Sequence, residues 1–495
     1  MRATVLRKFA LLALTAITLA LVIDCSPVSD PPDPPTDPFE QLYWNTLSTD
    51  WYDRNPSASE YIIFTANELA GLAKLVNTGK DFSGKTITLA NNINLGGRAW
   101  VSIGYEEGIY YVERSYAFNG VFDGNGKTIS GLYINYISTN ENDLYTTGLF
   151  GFLDHGTVKN LGVVDVDITG DVAGGIVGSV GMGNVFNCYS SGTVIGVKGS
   201  VGGVVGGNNG NVVDCHFSGI VKGNYNVGGV VGKIVGGNVT ACYANGTVNG
   251  GDYVGGVVGD IYDGNVTNSY STSTVNGDTH LGGVVGRALE GSITNCYSTS
   301  AVSGINRIGG VVGVVGVGST VANCYSTGIV SSSGDYNYNL NGVGGVVGSV
   351  FTRSEAMMLG ITYGYDNNNV TNCAALNSII KYDDLLGGSF DPTTRYVYRV
   401  AGGTIINIIN DITLSNNIAF DGMVKESDDE LWWLYDDGFG SGNANNVNGA
   451  DITAAAIRAD GTIGGRFAPA NGWTVENGKL PGLLGQTVEL PEHLR

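Results

Sequence analysis

Apolar residues in this chain come in short bursts, broken by glycine, asparagine, aspartate or serine, and the bursts recur at a fixed interval. The clearest phrase, glycine–aliphatic–(Phe/Val)–glycine, reads GLFG at Gly148, GIVG at Gly175, and GVVG at Gly203, Gly229, Gly256, Gly283, Gly310 and Gly345. Its successive steps are 27, 28, 26, 27, 27, 27 and 35 residues. A steady period of this size marks a solenoid, in which each repeat is one coil stacked on the last. Each interval holds three Val/Ile/Tyr-rich runs, too short for a helix and lacking its period, with turn formers between them. The pattern predicts an all-β fold: a right-handed parallel β-helix with three strands per coil of about 27 residues. Equivalent strands would lie roughly 4.8 Å apart, in about 11–13 coils. The 78 glycines suit corners and close backbone approaches.

Further columns hold the same register. Cys188, Cys215, Cys242, Ser269, Cys296 and Cys324 are spaced 27, 27, 27, 27 and 28 apart, and Cys373 follows after 49. Asn187, Asn268, Asn295, Asn323 and Asn372 stand just before this column, where stacked amides can bond along the axis. The cysteines read as small buried hydrophobes. Disulfides fit less well, because stacked neighbours hold their Cβ atoms roughly 4.8 Å apart against a preferred ~3.8 Å. Ser269 also interrupts the column, and the spacing is unlike that of CxxC zinc sites. One residue further on come Tyr189, His216, Tyr243, Tyr270, Tyr297 and Tyr325. With the cysteines inward, alternation turns these aromatics outward. Such a strip could bind sugar rings or a protein; the plainer reading is a ladder that stabilises the sheet surface.

The ends depart from the repeat. Arg2, Arg7 and Lys8 precede an apolar run from Phe9 to Ile23, so 1–24 reads as an export signal. Cys25 after Leu21-Val22-Ile23-Asp24 resembles a lipobox cysteine, the site of lipidation; Asp24 stands where a small residue is usual, and an ordinarily cleaved or uncleaved signal is the alternative. Residues 25–38 are a Pro/Asp-rich tether behind that cysteine. Residues 39–147 read as an N-terminal cap and irregular coils. Thr65-Ala-Asn-Glu68 matches a capping box, followed by Leu69, Leu72, Ala73 and Val76 at helical spacing and Gly79 as a stop. A helix there would cover the open coil end. Residues 148–375 are the regular coils. Residues 376–495 read as degenerate coils and a C-terminal cap, with a separate small β domain as the alternative.

The resemblance carried by these segments is specific. Leu89–Leu95 (LANNINL), Phe118–Leu132 (FNGVFDGNGKTISGL), the GLFG at Gly148 with GTVKNL from Gly156, and the repeated GGVVG…NCYS resemble the GLUG-repeat family over about residues 60–375. The tail from Asn471, NGWTVENGKLPGLLGQ, looks like the usual end of such chains. The resemblance implies a bacterial surface or secreted protein, often adhesin-like. GLUG repeats also occur beside an immunoglobulin-cleaving metalloprotease domain. No shared catalytic residue comes with it.

Charge and motif content narrow the functions. The net charge is −20, and about −22 without residues 1–24, which carry three basic residues and one acidic. That opposes binding to a nucleic-acid backbone. The histidines are His155, His216, His280 and His493, with no HExxH; no GxSxG, P-loop or calcium nonapeptide occurs. Asp123-Gly-Asn-Gly126 reads as a turn, because the further acidic ligands of a calcium loop are missing. A polysaccharide lyase or hydrolase would need converging carboxylates. The residues after each GxVG phrase are Phe152, Ser179, Gly207, Lys233, Asp260, Arg287, Val314 and Ser349, with no adjacent acids. The insertions Ser331–Asn341, bearing Tyr336 and Tyr338, and Thr352–Asp366, bearing Tyr363 and Tyr365, are loops that could carry binding.

The expectation is an exported, monomeric, lipid-anchored protein of a bacterial cell envelope, or a secreted one if Cys25 is not lipidated. It would be non-enzymatic and adhesin-like, without catalytic residues, metal or cofactor. It would bind a glycan or a host or neighbour surface protein through Tyr189, Tyr243, Tyr270, Tyr297, Tyr325, Tyr336, Tyr338, Tyr363 and Tyr365. The alternatives are a polysaccharide lyase or hydrolase on the same scaffold, and a passive structural stalk.

Overall fold

The computed structural model describes residues 47–107, 114–140, 143–333, 342–350, 368–382, 396–402, 412–426, 443 and 445–495. The expected signal segment, Cys25, the expected tether, and Tyr336, Tyr338, Tyr363 and Tyr365 lie outside the described residues.

The repeat folds as a parallel β-helix. In one coil the strands are Tyr225–Gly228, Val231–Val235, Asn238–Thr240 and Tyr243–Asn249. Each pairs in parallel with the same segment of the next coil: Val227 with Val254, Val231 with Val258, Val239 with Val266, Val248 with Val275. The sequence period is therefore the stacking register. Val227, Val230, Val231, Ile234, Val239, Cys242, Ala244 and Val248 point inward and are at most 1% exposed. Burying each aliphatic side chain of this kind stabilises the fold by about 1.5–3 kcal/mol.

This coil has four short strands, and the coils from Asp252 and Thr279 have five, more than the three expected. The extra break falls at the row Asn160, Asn187, Asp214, Ala241, Asn268, Asn295, Asn323, Asn372 and Asn416, all left-handed with φ between 48° and 56°. Asparagine and aspartate tolerate that conformation better than other side chains. Beyond the kink, the next residue (Cys242) turns inward, the one after it (Tyr243) outward, and Ala244 inward again. The first glycine of the GVVG phrase is needed for space. A Cβ on Gly229 would lie 2.1 Å from the carbonyl oxygen of Gly256 and 2.6 Å from the Ala244 Cβ on the facing wall.

The solenoid has about 10 turns, fewer than the 11–13 expected. The reason lies at its ends. Two walls, of 9 and 8 strands, span Thr146–Tyr398 and Phe150–Val350, whereas the 28-stranded wall runs from Glu60 to Ile452. Beyond these strands the 8-stranded wall continues only as single bridges, Ile103 with Phe150 and Ala401 with Val347.

At the N-terminal end the helix Ala66–Asn77 begins at the expected capping box. Thr65 Oγ1 accepts from Glu68 N, and Thr65 N donates to the Glu68 carboxylate. It stops at Gly79, with φ 97°, where Gly79 N donates to Val76 O and Lys80 N to Leu75 O. These two bonds close the helix end with a Schellman turn. Leu69, Leu72, Ala73 and Val76 are buried. Trp51, Tyr52, Tyr61, Phe82 and Phe118 pack beside it as an aromatic cluster with ring centroids 5.2–6.3 Å apart. At the other end, Ile379–Tyr382, Ile412–Ser415, Ile418–Phe420 and Val424–Glu426 continue the parallel stack. After the helix Ala454–Arg458 the chain turns back along the outside of the coils.

Candidate functional site

The aromatic column is a stacked ladder. Tyr189, His216, Tyr243, Tyr270, Tyr297 and Tyr325 lie ring over ring, with centroids 4.6–5.2 Å apart and planes within 7° of parallel. The ring faces are thereby spent on one another. Even the leading face of Tyr189 is covered, because its ring lies over Gly162, where a Cβ would come within 2.5 Å of it. Only ring edges and hydroxyls remain to meet a ligand.

The ladder also sinks along its length. Tyr189, His216 and Tyr243 are half-buried, whereas Tyr270 is 7%, Tyr297 3% and Tyr325 0% exposed. The returning C-terminal segment closes the far end. Trp473 packs 5.8 Å from Tyr325 and 6.3 Å from Tyr297, Phe467 packs edge-on to both Trp473 and Tyr325, and Tyr325 donates to the carbonyl of Pro481. The phenol pKa values follow this gradient. Burial raises Tyr243, pushes Tyr270 up to about 12, and raises Tyr297 and Tyr325 further. Of the tyrosines proposed for ligands, Tyr270, Tyr297 and Tyr325 are therefore buried, the last two beneath a cover that alternation alone did not reveal.

The cysteine column is inward, and Cys188, Cys215, Cys242, Cys296, Cys324 and Cys373 are free thiols. Their Sγ atoms donate to main-chain carbonyls, as Cys242 does to Val212 and Thr240. Burial raises the thiols of Cys188, Cys242 and Cys324 well above their ordinary range. The asparagine row bonds amide to amide along the axis, from Asn268 through Asn295, Asn323 and Asn372 to Asn416. A second such ladder, unpredicted, joins Asn184, Asn211, Asn238 and Asn265.

One polar cluster lies in the column that follows the GVVG phrase. Lys233, Asp260 and Arg287 stack in register after the GVVG phrase. Asp260, 1% exposed, receives two hydrogen bonds of 2.8 and 2.9 Å from Arg287. The Arg287 guanidinium lies 3.8 Å over the centre of the Tyr253 ring. Tyr253 also packs on His280, whose Nδ1 meets Thr279 Oγ1 and whose Nε2 faces Arg307 Nη1 at 3.1 Å. Tyr253, His280 and Arg307 share another left-handed row with Asn226. Burial, and then Arg307 and Arg287, hold the His280 pKa well below its ordinary value.

A cleft of about 290 Å³ opens beside the N-terminal cap. It is lined by Val76 and Gly79 at the helix end, Asp81, Ser115, Tyr116 and Ala117 at the end of an insertion between the strands Thr86–Leu89 and Val121–Ser130, then Asn119, Phe152 and Asp154. The insertion forms an antiparallel hairpin, Tyr105–Glu107 with Arg114–Tyr116. The Glu106 carboxyl is raised by burial and by the nearby Asp154. Sequence columns could not find this site, because its walls come from a helix, an insertion and a coil. Among the described residues, no three His, Cys, Asp or Glu side chains come together to hold a metal ion.

Comparison with known proteins fits this architecture. The GLUG motif matches residues 223–249 and 277–303, each the length of one coil. The chain carries the GLUG motif. A stretch of 89 residues is 39% identical to halomucin of Haloquadratum walsbyi, covering 18% of this chain and 1% of halomucin. Among solved structures, a Bacteroides ovatus protein described as a candidate immunoglobulin A1 protease aligns over 86% of this chain and 93% of its own, at 18% identity and TM-score 0.36. An IgA1 protease aligns over 73% of this chain and 21% of its own, at 15% identity and TM-score 0.34. Likenesses at this level carry nothing about activity.

Proposed function

We propose that this chain is an exported protein displayed on a bacterial surface, adhesin-like and non-enzymatic, which holds glycan or protein ligands on its coils and insertions. The observation that carries the reading is the GLUG coil, repeated in register so that its inward columns pack and its outward columns form long side-chain ladders. A rigid array of this kind presents surface without moving parts. The likeness to halomucin supports a surface location. Lipidation at Cys25 and the tether at 25–38 belong to the same proposal. Tyr189 and Tyr243, the half-exposed members of the ladder, and Tyr336, Tyr338, Tyr363 and Tyr365 on the insertions are the aromatic contacts it retains.

A polysaccharide-cleaving enzyme is the second reading, favoured by the two carboxylates, Asp81 and Asp154, that line the cleft. One screen separates the two. The chain is incubated with a polysaccharide panel and a panel of surface proteins, and binding is read together with release of reducing or unsaturated ends. Binding without product, weakened by Tyr336→Ala with Tyr338→Ala, is the expected result. Product release would establish the enzyme. Silence on every ligand would leave a passive stalk.

A further inference from the structure

The cleft at the N-terminal cap has a chemistry more defined than its size. At about 290 Å³ it lies at the small end of ligand pockets, which run ~300–1,000 Å³, so it suits one ring rather than a polymer segment. Its wall is mixed, as in sites that hold sugars: Val76 and Phe152 are apolar, Tyr116 is amphipathic, and Ser115, Asn119, Asp81 and Asp154 are polar.

The polar groups are fixed from behind. Asn119 Oδ1 accepts from His155 N at 3.0 Å, and Asn119 N donates to Asp81 O at 2.7 Å, so the side-chain NH2 remains as a donor. Asp154 Oδ2 is engaged with His155 Nδ1 at 2.9 Å, and Asp81 Oδ1 accepts from Ser83 N at 3.2 Å. Each carboxylate keeps its second oxygen for a donor. Neither has a lysine or arginine ion-pair partner among the described residues. The half-buried Glu106 carboxyl is raised by burial first and then by the charge of Asp154.

We propose that this cleft is a binding subsite for a single pyranose ring bearing an amine, with Asp81 and Asp154 accepting from the ammonium and hydroxyl groups, Asn119 donating to a ring or hydroxyl oxygen, and Tyr116 and Phe152 flanking the ring. Uncharged hexoses bind the same groups more weakly. Uronic and sulfated sugars are repelled, since two unneutralised carboxylates would meet a third anion. The proposal rests on the glycan-binding reading above and names the sugar class and place.

The test uses the full chain and isothermal titration with three probes: a glucosamine oligomer, a neutral glucose oligomer and a galacturonate oligomer. Glucosamine should bind best and galacturonate not at all. Asp154→Asn and Asn119→Ala should each weaken glucosamine binding at least about tenfold, the scale of a lost charge-assisted or buried hydrogen bond. An unchanged thermal melt certifies that each variant is folded, and Asp81→Asn serves if one is not. Galacturonate binding as tight as glucosamine overturns the assignment, as does full affinity in both variants. Failure of all three probes overturns the subsite while leaving the wider function standing if other glycans or proteins in the panel bind.

Discussion

A single conformational requirement explains why asparagine recurs where it does. Nine stacked residues from Asn160 to Asn416 sit in the left-handed region, and the members are asparagine, one aspartate and Ala241. Alanine has no amide to bond along the axis and carries a cost of about 1–2 kcal/mol in that conformation. Ala241→Asn should therefore stabilise the chain, by about 0.5–1 kcal/mol, and give Asp214 and Asn268 an amide neighbour. The urea midpoint of the variant measures this, and an unchanged or lower midpoint would show that the row tolerates alanine freely. The asparagines were legible in the sequence as a column. Their left-handed backbone was not, because periodicity reports which residues stack but not the torsion at which they do so.

At the scale of neighbouring strands, the Asp260–Arg287 pair carries the largest local risk. Its carboxylate is 1% exposed and its guanidinium side chain 15%. Arg287→Met leaves Asp260 buried without its partner, so unfolding should become easier by about 3–5 kcal/mol. Replacing both by valine, the residue at Val314 in the next coil, should recover most of that loss. Denaturant titration of the single and double variants decides; equal losses would mean that the pair contributes only its packing. The same cluster sets a pH dependence. The folded His280 pKa is depressed, by burial first and then by Arg307 and Arg287. The unfolded chain takes up this proton near pH ~6.5 and the folded chain does not, so stability is full above that pH and declines as pH falls below it. His280→Asn suits the left-handed site, as Asn226 shows in the same row. Melting curves from pH 7.5 to 5 should flatten in that variant; the same slope in both would assign the effect elsewhere. These contacts were within reach of the sequence as opposite charges in one column.

For the whole molecule, the returning C-terminal segment is the contact that changes the reading of the surface. Trp473, 3% exposed, seals Tyr297 and Tyr325 from water. Trp473→Ala should lower the unfolding free energy by about 3–5 kcal/mol, the usual range for truncating a buried aromatic. It should also bring the Tyr297 and Tyr325 phenols down toward ordinary values, read by ultraviolet titration, with the β signal in circular dichroism retained. If the phenols do not move, the segment is a passenger on the ladder rather than its cover.

Contacts in a solenoid are made mostly with the next coil, about one period away along the chain. A one-dimensional repeat therefore encodes them directly. The parallel β-helix, the inward cysteines and outward tyrosines, and the capping helix from Thr65 were all readable on those terms. Other features join residues that no period relates. Tyr325 meets Pro481 across 156 positions, and Asn295 meets Asn471 across 176. The cleft gathers a helix end, an insertion and a coil. Such contacts depend on where folded surfaces meet and how their side chains fit. Tertiary structure alone decided that the far end of the tyrosine ladder is covered and that Asp81 and Asp154 line one cleft beside the cap.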